Sequence, residues 1–341
     1  MFAVRFHQHG GPDVLRYEEV ADPEPAPGEA LIRVRACALN HLDLWERRGQ
    51  PRVKIPLPHI SGSDVAGEVV AAAAPDVPLG RRVLLQPGVS CGRCAACLEG
   101  RDNECRSYEV LGYLNHPGGY AEYVTVPVQN LVPIPDEIDF VRAAAFPLTF
   151  LTAWHMLITC AGLRHGEDVL VLAAGSGVGQ AAIQIARLHG ARVFATAGSR
   201  QKLEHARSLG AYDVIDHYQQ DIGNEIRRMT NNRGVDVVIE HVGEATWAGS
   251  MRSLARGGRL VTCGATTGAN GAVNLQALFA RQLTVRGSYM GAKGELLRAA
   301  RLFFAGQLNP VVDRTYTLRE APQAQRRLEE SEQFGKIVLE V

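Results

Sequence analysis

Asp168-Val169-Leu170-Val171-Leu172-Ala173-Ala174-Gly175-Ser176-Gly177-Val178-Gly179 decides the fold of this chain. Its first six residues form an apolar run of the length of a fully buried strand. Ala181, Ala182, Ile185 and Leu188 then recur at helical spacing, which predicts a helix over Val178 to His189. Glycines between a buried strand and a helix permit a tight turn. They also let a pyrophosphate approach backbone amides at the positive end of the helix. A glycine-rich turn alone is weak evidence; in a strand–turn–helix context it points to dinucleotide binding through Gly175, Ser176, Gly177 and Val178.

The alternation continues downstream. Strands are predicted at Arg192 to Ala197, Asp213 to Asp216, Val235 to Glu240 and Arg259 to Cys263. Helices are predicted between them at Arg200 to Leu209, Ile222 to Met229 and Ala245 to Ala255. Strands separated by helices of about ten residues imply βαβ units, hence a doubly wound parallel sheet with helices on both faces. Upstream, to about residue 125, short Val/Ile alternations such as Leu31 to Arg35 and Ala66 to Val70 sit between Gly and Pro, as in a barrel-like β domain. The ending Phe334 to Val341 is again a strand, predicted to return to the first domain and make it discontinuous. The chain thus divides into two domains, residues 1–148 with 290–341, and residues 149–289. A length of 341 residues fits that number.

An acidic residue at the end of the second strand ordinarily reads a free ribose 2′-hydroxyl. Here Ser199, Arg200 and Lys202 stand in that region with no carboxylate before them, a set suited to a 2′-phosphate. NADP(H) is therefore the expected nucleotide and NAD(H) the alternative. The bland reading is that these residues cap and solvate a helix.

Cys91, Cys94, Cys97 and Cys105 give C-x2-C-x2-C-x7-C within a lobe of about residues 88–107. Four thiolates close a tetrahedral zinc sphere and leave no position for substrate, so the spacing predicts one structural zinc per chain. Four clustered cysteines behind a start without a secretory pattern also point to a reducing, cytoplasmic compartment. No apolar run approaches the length of a membrane helix. The 36 Lys plus Arg balance 36 Asp plus Glu, which gives no electrostatic reason to expect nucleic acid or membrane as partner. A small-molecule substrate is expected.

Together these residues resemble the medium-chain dehydrogenase/reductase superfamily, in particular its quinone oxidoreductase-like branch, over essentially the whole chain. The cysteine lobe resembles the structural zinc lobe of zinc alcohol dehydrogenases. Arg35 to Asp43 resembles their segment bearing the first catalytic zinc ligand, and Gly62-Ser63-Asp64-Val65-Ala66-Gly67 their Gly-His-Glu-x-x-Gly motif. The resemblance implies a GroES-like β-barrel domain beside a Rossmann domain, with a cleft between them. It places Thr152 near the nicotinamide and Lys336, in the Gly-Lys-Ile-Val-Leu ending, toward the pyrophosphate.

The departures are informative. Asn40 replaces the ligand cysteine and Ser63 the ligand histidine; Asp64 replaces the neighbouring glutamate, and Leu148 falls about where the last cysteine belongs. Asn, Ser and Leu do not hold a zinc that polarises an alcohol oxygen. The resemblance thus implies metal-free hydride transfer from NADPH to a quinone or activated alkene. Asn40 is the candidate donor near the cofactor or the substrate oxygen, and His41 and Asp43 are candidates for proton delivery. A loop hydrogen bond is the bland alternative for each.

Competing readings are an alcohol dehydrogenase with an irregular metal site drawn from His41, Asp43, His59 and Asp64, an enoyl-CoA reductase, and an NADPH-binding sensor without turnover. No tyrosine lies between Trp45 and Pro56, where the resembling enoyl reductases carry a proton donor. A homodimer or homotetramer, pairing through the strand near Leu283 to Gly287, is a family-level expectation.

Overall fold

The computed structural model describes residues 1–50 and 53–341. Pro51 and Arg52, inside the tyrosine-free stretch, lie outside the described residues. The chain divides into two compact units, residues 1–148 with 292–341, and residues 149–291.

In the second unit, six parallel-paired strands run in the order Asp213–Asp216, Arg192–Ala197, Asp168–Val171, Val235–Glu240, Leu254–Thr262 and Thr284–Gly287. Counted along the unit this order is 3-2-1-4-5-6, the doubly wound arrangement. Its inner strands bury Leu170, Phe194, Val238 and Leu260, which is why they read as apolar runs instead of alternations. The helices Gly177–Leu188, Arg200–Ser208, Ile222–Met229 and Glu244–Ser253 link the strands.

The largest boundary difference from the sequence reading lies at the fifth strand. The fifth strand begins at Leu254, ahead of Arg259, and the preceding helix stops at Ser253. Gly257 takes a φ of +75°, and the register against Val235–Glu240 shifts between Val235 and Val237. A bulged extension of this kind carries little periodicity for a sequence to announce.

In the first unit, seven strands form a mostly antiparallel sheet around Glu29–Ala38. That strand pairs with Asp64–Ala72, with Tyr123–Pro127 and with the closing strand Lys336–Glu340. Ala38 faces Asp64 in one register and Val338 in the other, so residues near 40, 64 and 336 meet at one end of the sheet. The closing strand returns to the first unit, as its sequence suggested. Val4, Phe6, Ile32, Val34, Leu44, Val69, Leu85 and Ile337 fill the core.

The cysteine lobe projects between two short strands, Gly88–Val89 and Glu109–Val110, which pair antiparallel and close its base. No helix among the described residues is long and apolar enough to cross a membrane.

Candidate active site

The strand Glu29–Ala38 leads to Asn40, which begins the helix His41–Arg48. Asp43, three residues on, turns back and accepts from the Asn40 backbone N–H at 3.0 Å. The Asn40 side chain is engaged elsewhere. Its Nδ2 donates to Asp64 Oδ2 at 2.9 Å, and its Oδ1 accepts from Lys336 Nζ at 2.6 Å. Lys336 Nζ also donates to Asp64 Oδ2 at 2.8 Å, and the second Asp64 oxygen accepts from the Leu148 backbone N–H at 2.7 Å.

Asp64 is 0% exposed and Lys336 2%, so this ion pair is removed from water. The family resemblance implied that Lys336 reaches toward a pyrophosphate. In the structure its ammonium is instead committed to Asp64 and Asn40, because the register of the closing strand sets Lys336 beside the start of the helix.

Beneath Asn40 lie two buried carboxyls about one helical turn apart. Asp43 accepts from Tyr120 Oη at 2.8 Å, and Glu46 from Ser61 Oγ at 2.6 Å. Each has one buried oxygen without a hydrogen-bond donor, Asp43 Oδ1 and Glu46 Oε1. Burial raises both: Asp43 is pushed up to about 6, and Glu46 lies well above the ordinary carboxyl range. Asp43 thus takes up its proton about two pH units above an ordinary aspartate, and it is directly bonded to the Asn40 backbone.

Of the remaining candidates, His41 sets its ring edge-on to Trp45 at 5.4 Å between centroids. His59 is buried and donates from Nε2 to the Gly112 carbonyl at 3.0 Å, and burial lowers its basicity. Ser63 is buried with no partner for its hydroxyl. Among the described residues, the one group of three or more His, Cys, Asp or Glu side chains close enough to share a metal is Cys91, Cys94, Cys97 and Cys105. His41, Asp43, His59 and Asp64 form no such group. The alcohol dehydrogenase-type metal position has an amide, a hydroxyl and an ammonium-paired carboxylate in place of ligands, and these do not fit a catalytic zinc.

The cysteine sulfurs fit a structural one. Cys94 Sγ lies 3.5 Å from Cys97 Sγ, Cys105 Sγ 3.5 Å from Cys91 Sγ, and Cys91 Sγ 4.0 Å from Cys97 Sγ. Four thiolates bound tetrahedrally at about 2.3 Å from one ion lie about 3.8 Å apart.

The glycine turn belongs to the second unit. Ser176 caps the helix Gly177–Leu188, its Oγ accepting from the Gly179 N–H at 2.8 Å. A Cβ on Gly179 would collide with the Ala173 carbonyl oxygen, so only glycine lets helix and strand approach this closely. Val178 lies in the first turn of that helix, beside Gly175, Ser176 and Gly177.

At the end of the second strand, Ser199 caps the helix Arg200–Ser208 and accepts from the Lys202 N–H at 3.4 Å. Arg200 is an exposed side chain paired with Glu204 at 2.9 Å. The sequence reading missed two neighbours here. A Cβ on Gly198 would meet Tyr218 and His217, which pack over it from the loop after the third strand. Their rings are edge-on at 4.6 Å, and burial, with a smaller contribution from the charge of Lys202, lowers the basicity of His217. The signal was the glycine itself: a position after a strand where no side chain fits. Thr152 is buried in the helix Pro147–Trp154.

Residues 26–136 match the alcohol dehydrogenase GroES-like domain and residues 177–305 the zinc-binding dehydrogenase domain. The chain is 31% identical to a quinone oxidoreductase of Rattus norvegicus, over 99% of this chain and 97% of that protein. It is 30% identical to a crotonyl-CoA reductase of Streptomyces collinus, over 95% of this chain and 80% of that one. A solved structure described as an NAD-dependent alcohol dehydrogenase is 46% identical, with a TM-score of 0.96 and 100% of both chains covered.

The buried charges set two expected outcomes. Removing the ammonium leaves a buried carboxylate unpaired, so Lys336→Met lowers unfolding free energy by about 3–5 kcal/mol in urea titrations. The double variant with Asp64→Asn recovers part of that loss. For Asp43, the folded state holds its proton more tightly than the unfolded chain, whose ordinary value is 3.8. Its contribution is therefore fully present below that value and is lost as pH rises through about 6. Asp43→Asn removes this component: the urea midpoint of the wild type falls relative to that of the variant as pH rises through that window.

Proposed function

This chain belongs to the medium-chain dehydrogenase/reductase superfamily and is an NAD(P)H-dependent oxidoreductase, and from that premise we propose that it uses NADPH to reduce a quinone or an activated alkene without a catalytic metal. The observation that carries this reading is the donor set around Asp64. Where a catalytic zinc would need thiolate and imidazole, the chain offers Asn40, Ser63 and a carboxylate already neutralised by Lys336. The relatives named for quinone and for crotonyl-CoA, an enoyl thioester, support the same acceptor chemistry.

The nucleotide would lie on the glycine turn at Gly175, Ser176, Gly177 and Val178, with Ser199, Arg200 and Lys202 around a 2′-phosphate and Thr152 toward the nicotinamide. When bound it supplies the hydride. The side chains supply orientation and charge stabilisation. Lys336 donates to Asn40 Oδ1 and so fixes the amide: Nδ2 is the donor end, with one hydrogen on Asp64. The other hydrogen would serve a substrate oxygen that gains negative charge. Asp43, whose pKa burial raises to about 6 and which is bonded to the Asn40 backbone, would be the candidate proton source.

Cys91, Cys94, Cys97 and Cys105 would hold one zinc per chain. Its role would be to cross-link a lobe too small to have a core of its own. A small-molecule substrate and a reducing compartment go with this reading, and the clustered free thiols support the latter. The edge strand Thr284–Gly287 is exposed along all four residues, with Leu275, Phe279 and Tyr289 exposed nearby in sequence, which supports pairing with a second copy.

A second reading rests on the structure 46% identical to this chain, whose description names alcohol and NAD. Elemental analysis separates the two. One zinc per chain that resists mild chelation, together with NADPH oxidation by quinones or crotonyl thioesters, is the expected result. A second, easily removed zinc with NAD-dependent alcohol oxidation would overturn the proposal. Within the expected outcome, Asn40→Ala lowers kcat by about 10²–10³ with little change in NADPH affinity, read by stopped-flow turnover and by nucleotide titration.

A further inference from the structure

The strand order of the second unit reverses between Asp168–Val171 and Val235–Glu240. In open parallel sheets a dinucleotide lies across the carboxyl ends of the strands at such a switch point, with its pyrophosphate on the turn after the first strand. The adenosine half then lies on the side of Arg192–Ala197, and the other half on the side of Val235–Glu240. The loop at the carboxyl end of Val235–Glu240 is therefore placed to meet the reactive half.

That loop is held unusually firmly. Glu240 is fully buried, and its carboxylate accepts from the Val242 N–H at 2.7 Å and the Gly243 N–H at 3.1 Å. It also accepts from Thr246 Oγ1 at 2.9 Å and Ser250 Oγ at 2.6 Å. These donors, gathered on one carboxylate, fix the backbone on either side of the next residue, His241.

His241 bridges the switch point. Its Nε2 lies 2.9 Å from the Leu172 carbonyl, just past the end of the first strand, and 3.4 Å from Ser176 Oγ, the cap of the glycine-turn helix. A carbonyl only accepts, so Nε2 carries the hydrogen. Burial lowers the basicity of the ring, so the second nitrogen stays a bare acceptor at neutral pH. His241 is only partly buried, and its Nδ1 has no protein partner among the described residues.

A lone pair at this position rejects one class of ligand atom and accepts another. Pyrophosphate oxygens are acceptors and cannot pair with it. The ribose on the adenosine side lies across the first strand. The donors that remain within one sugar of the glycine turn are the hydroxyls of the other ribose. We propose that His241 Nδ1 accepts a hydrogen bond from a hydroxyl of the nicotinamide-side ribose, orienting the reactive ring from beneath while Nε2 stays anchored to Leu172. The inference rests on the nucleotide reading above and is independent of which acceptor is reduced.

The test compares binding of the whole nucleotide with binding of its adenine half to the full-length chain by calorimetry. His241→Leu removes both nitrogens; His241→Asn keeps a donor for Leu172 and an acceptor for the ribose. The expected result is a roughly three- to tenfold weaker NADPH affinity for His241→Leu, about the worth of one hydrogen bond. Affinity for adenosine 2′,5′-bisphosphate should stay unchanged, and His241→Asn should restore most of the loss. Equal weakening of the fragment would show that His241 only braces the glycine turn, and unchanged NADPH affinity would show that Nδ1 meets nothing; either overturns the inference. Wild-type preference for NADH would instead correct the nucleotide reading, and the same comparison would then use NADH and 5′-AMP. A wild type that binds neither nucleotide overturns both.

Discussion

The antiparallel pairing of the closing strand on Glu29–Ala38 is the constraint on which the first unit's chemistry depends. Leu339 opposite Cys37 and Val338 opposite Ala38 leave Lys336 beside the start of the next helix, where Leu39 donates its N–H to the Ile337 carbonyl at 2.9 Å. The neighbouring register sets Asp64 opposite Ala38. Two ladders of backbone hydrogen bonds thus deliver an ammonium and a carboxylate to the same buried point, with the Asn40 amide between them. A one-residue slip of either strand would turn its side chains to the opposite face and dissolve the site.

Burying this pair is unfavourable in itself, since both charges leave water, and the pair is tolerable because every contact is also a hydrogen bond. The ammonium gives the Asp64 carboxylate a cation without a coordination sphere. A metal ion would offer an open position to polarise an alcohol. The ammonium offers only hydrogen bonds, and here it directs them to Asp64 and Asn40. The Asn40 amide between ammonium and carboxylate is oriented but neutral. Such a donor suits a developing enolate or quinol oxygen better than a tightly held alkoxide. Asp43 and Glu46 lie on the helix that Asn40 begins. Burial raises both above the range in which exposed carboxyls titrate.

The second unit works by different means. Its glycine turn, its capping Ser176 and the Glu240-held loop are almost wholly backbone and cap interactions at the carboxyl ends of parallel strands. Here the sheet supplies position and the helix end supplies charge, so few side chains are needed. His241 and the Tyr218–His217 pair are side chains that pack beside these strand ends.

The sequence by itself determined the features that depend on neighbours along the chain. The strand–turn–helix at Asp168 to Gly179, the alternation after it and the tight spacing of Cys91, Cys94, Cys97 and Cys105 are local patterns. Backbone geometry and ligand reach act over a few residues, and these patterns express both. The candidates Asn40 and Asp43 were legible through resemblance, but their partners were not. Lys336 meets Asn40 across 296 positions and Asp64 across 272, and Tyr120 meets Asp43 across 77. Nothing near Lys336 in the chain says whether it faces solvent, a phosphate or a carboxylate. His241 and Tyr218 likewise have no motif around them. Only the tertiary structure decided these contacts, because strand register and sheet order are set by the packing of the whole core, and a side chain's partner is whatever that packing brings opposite it.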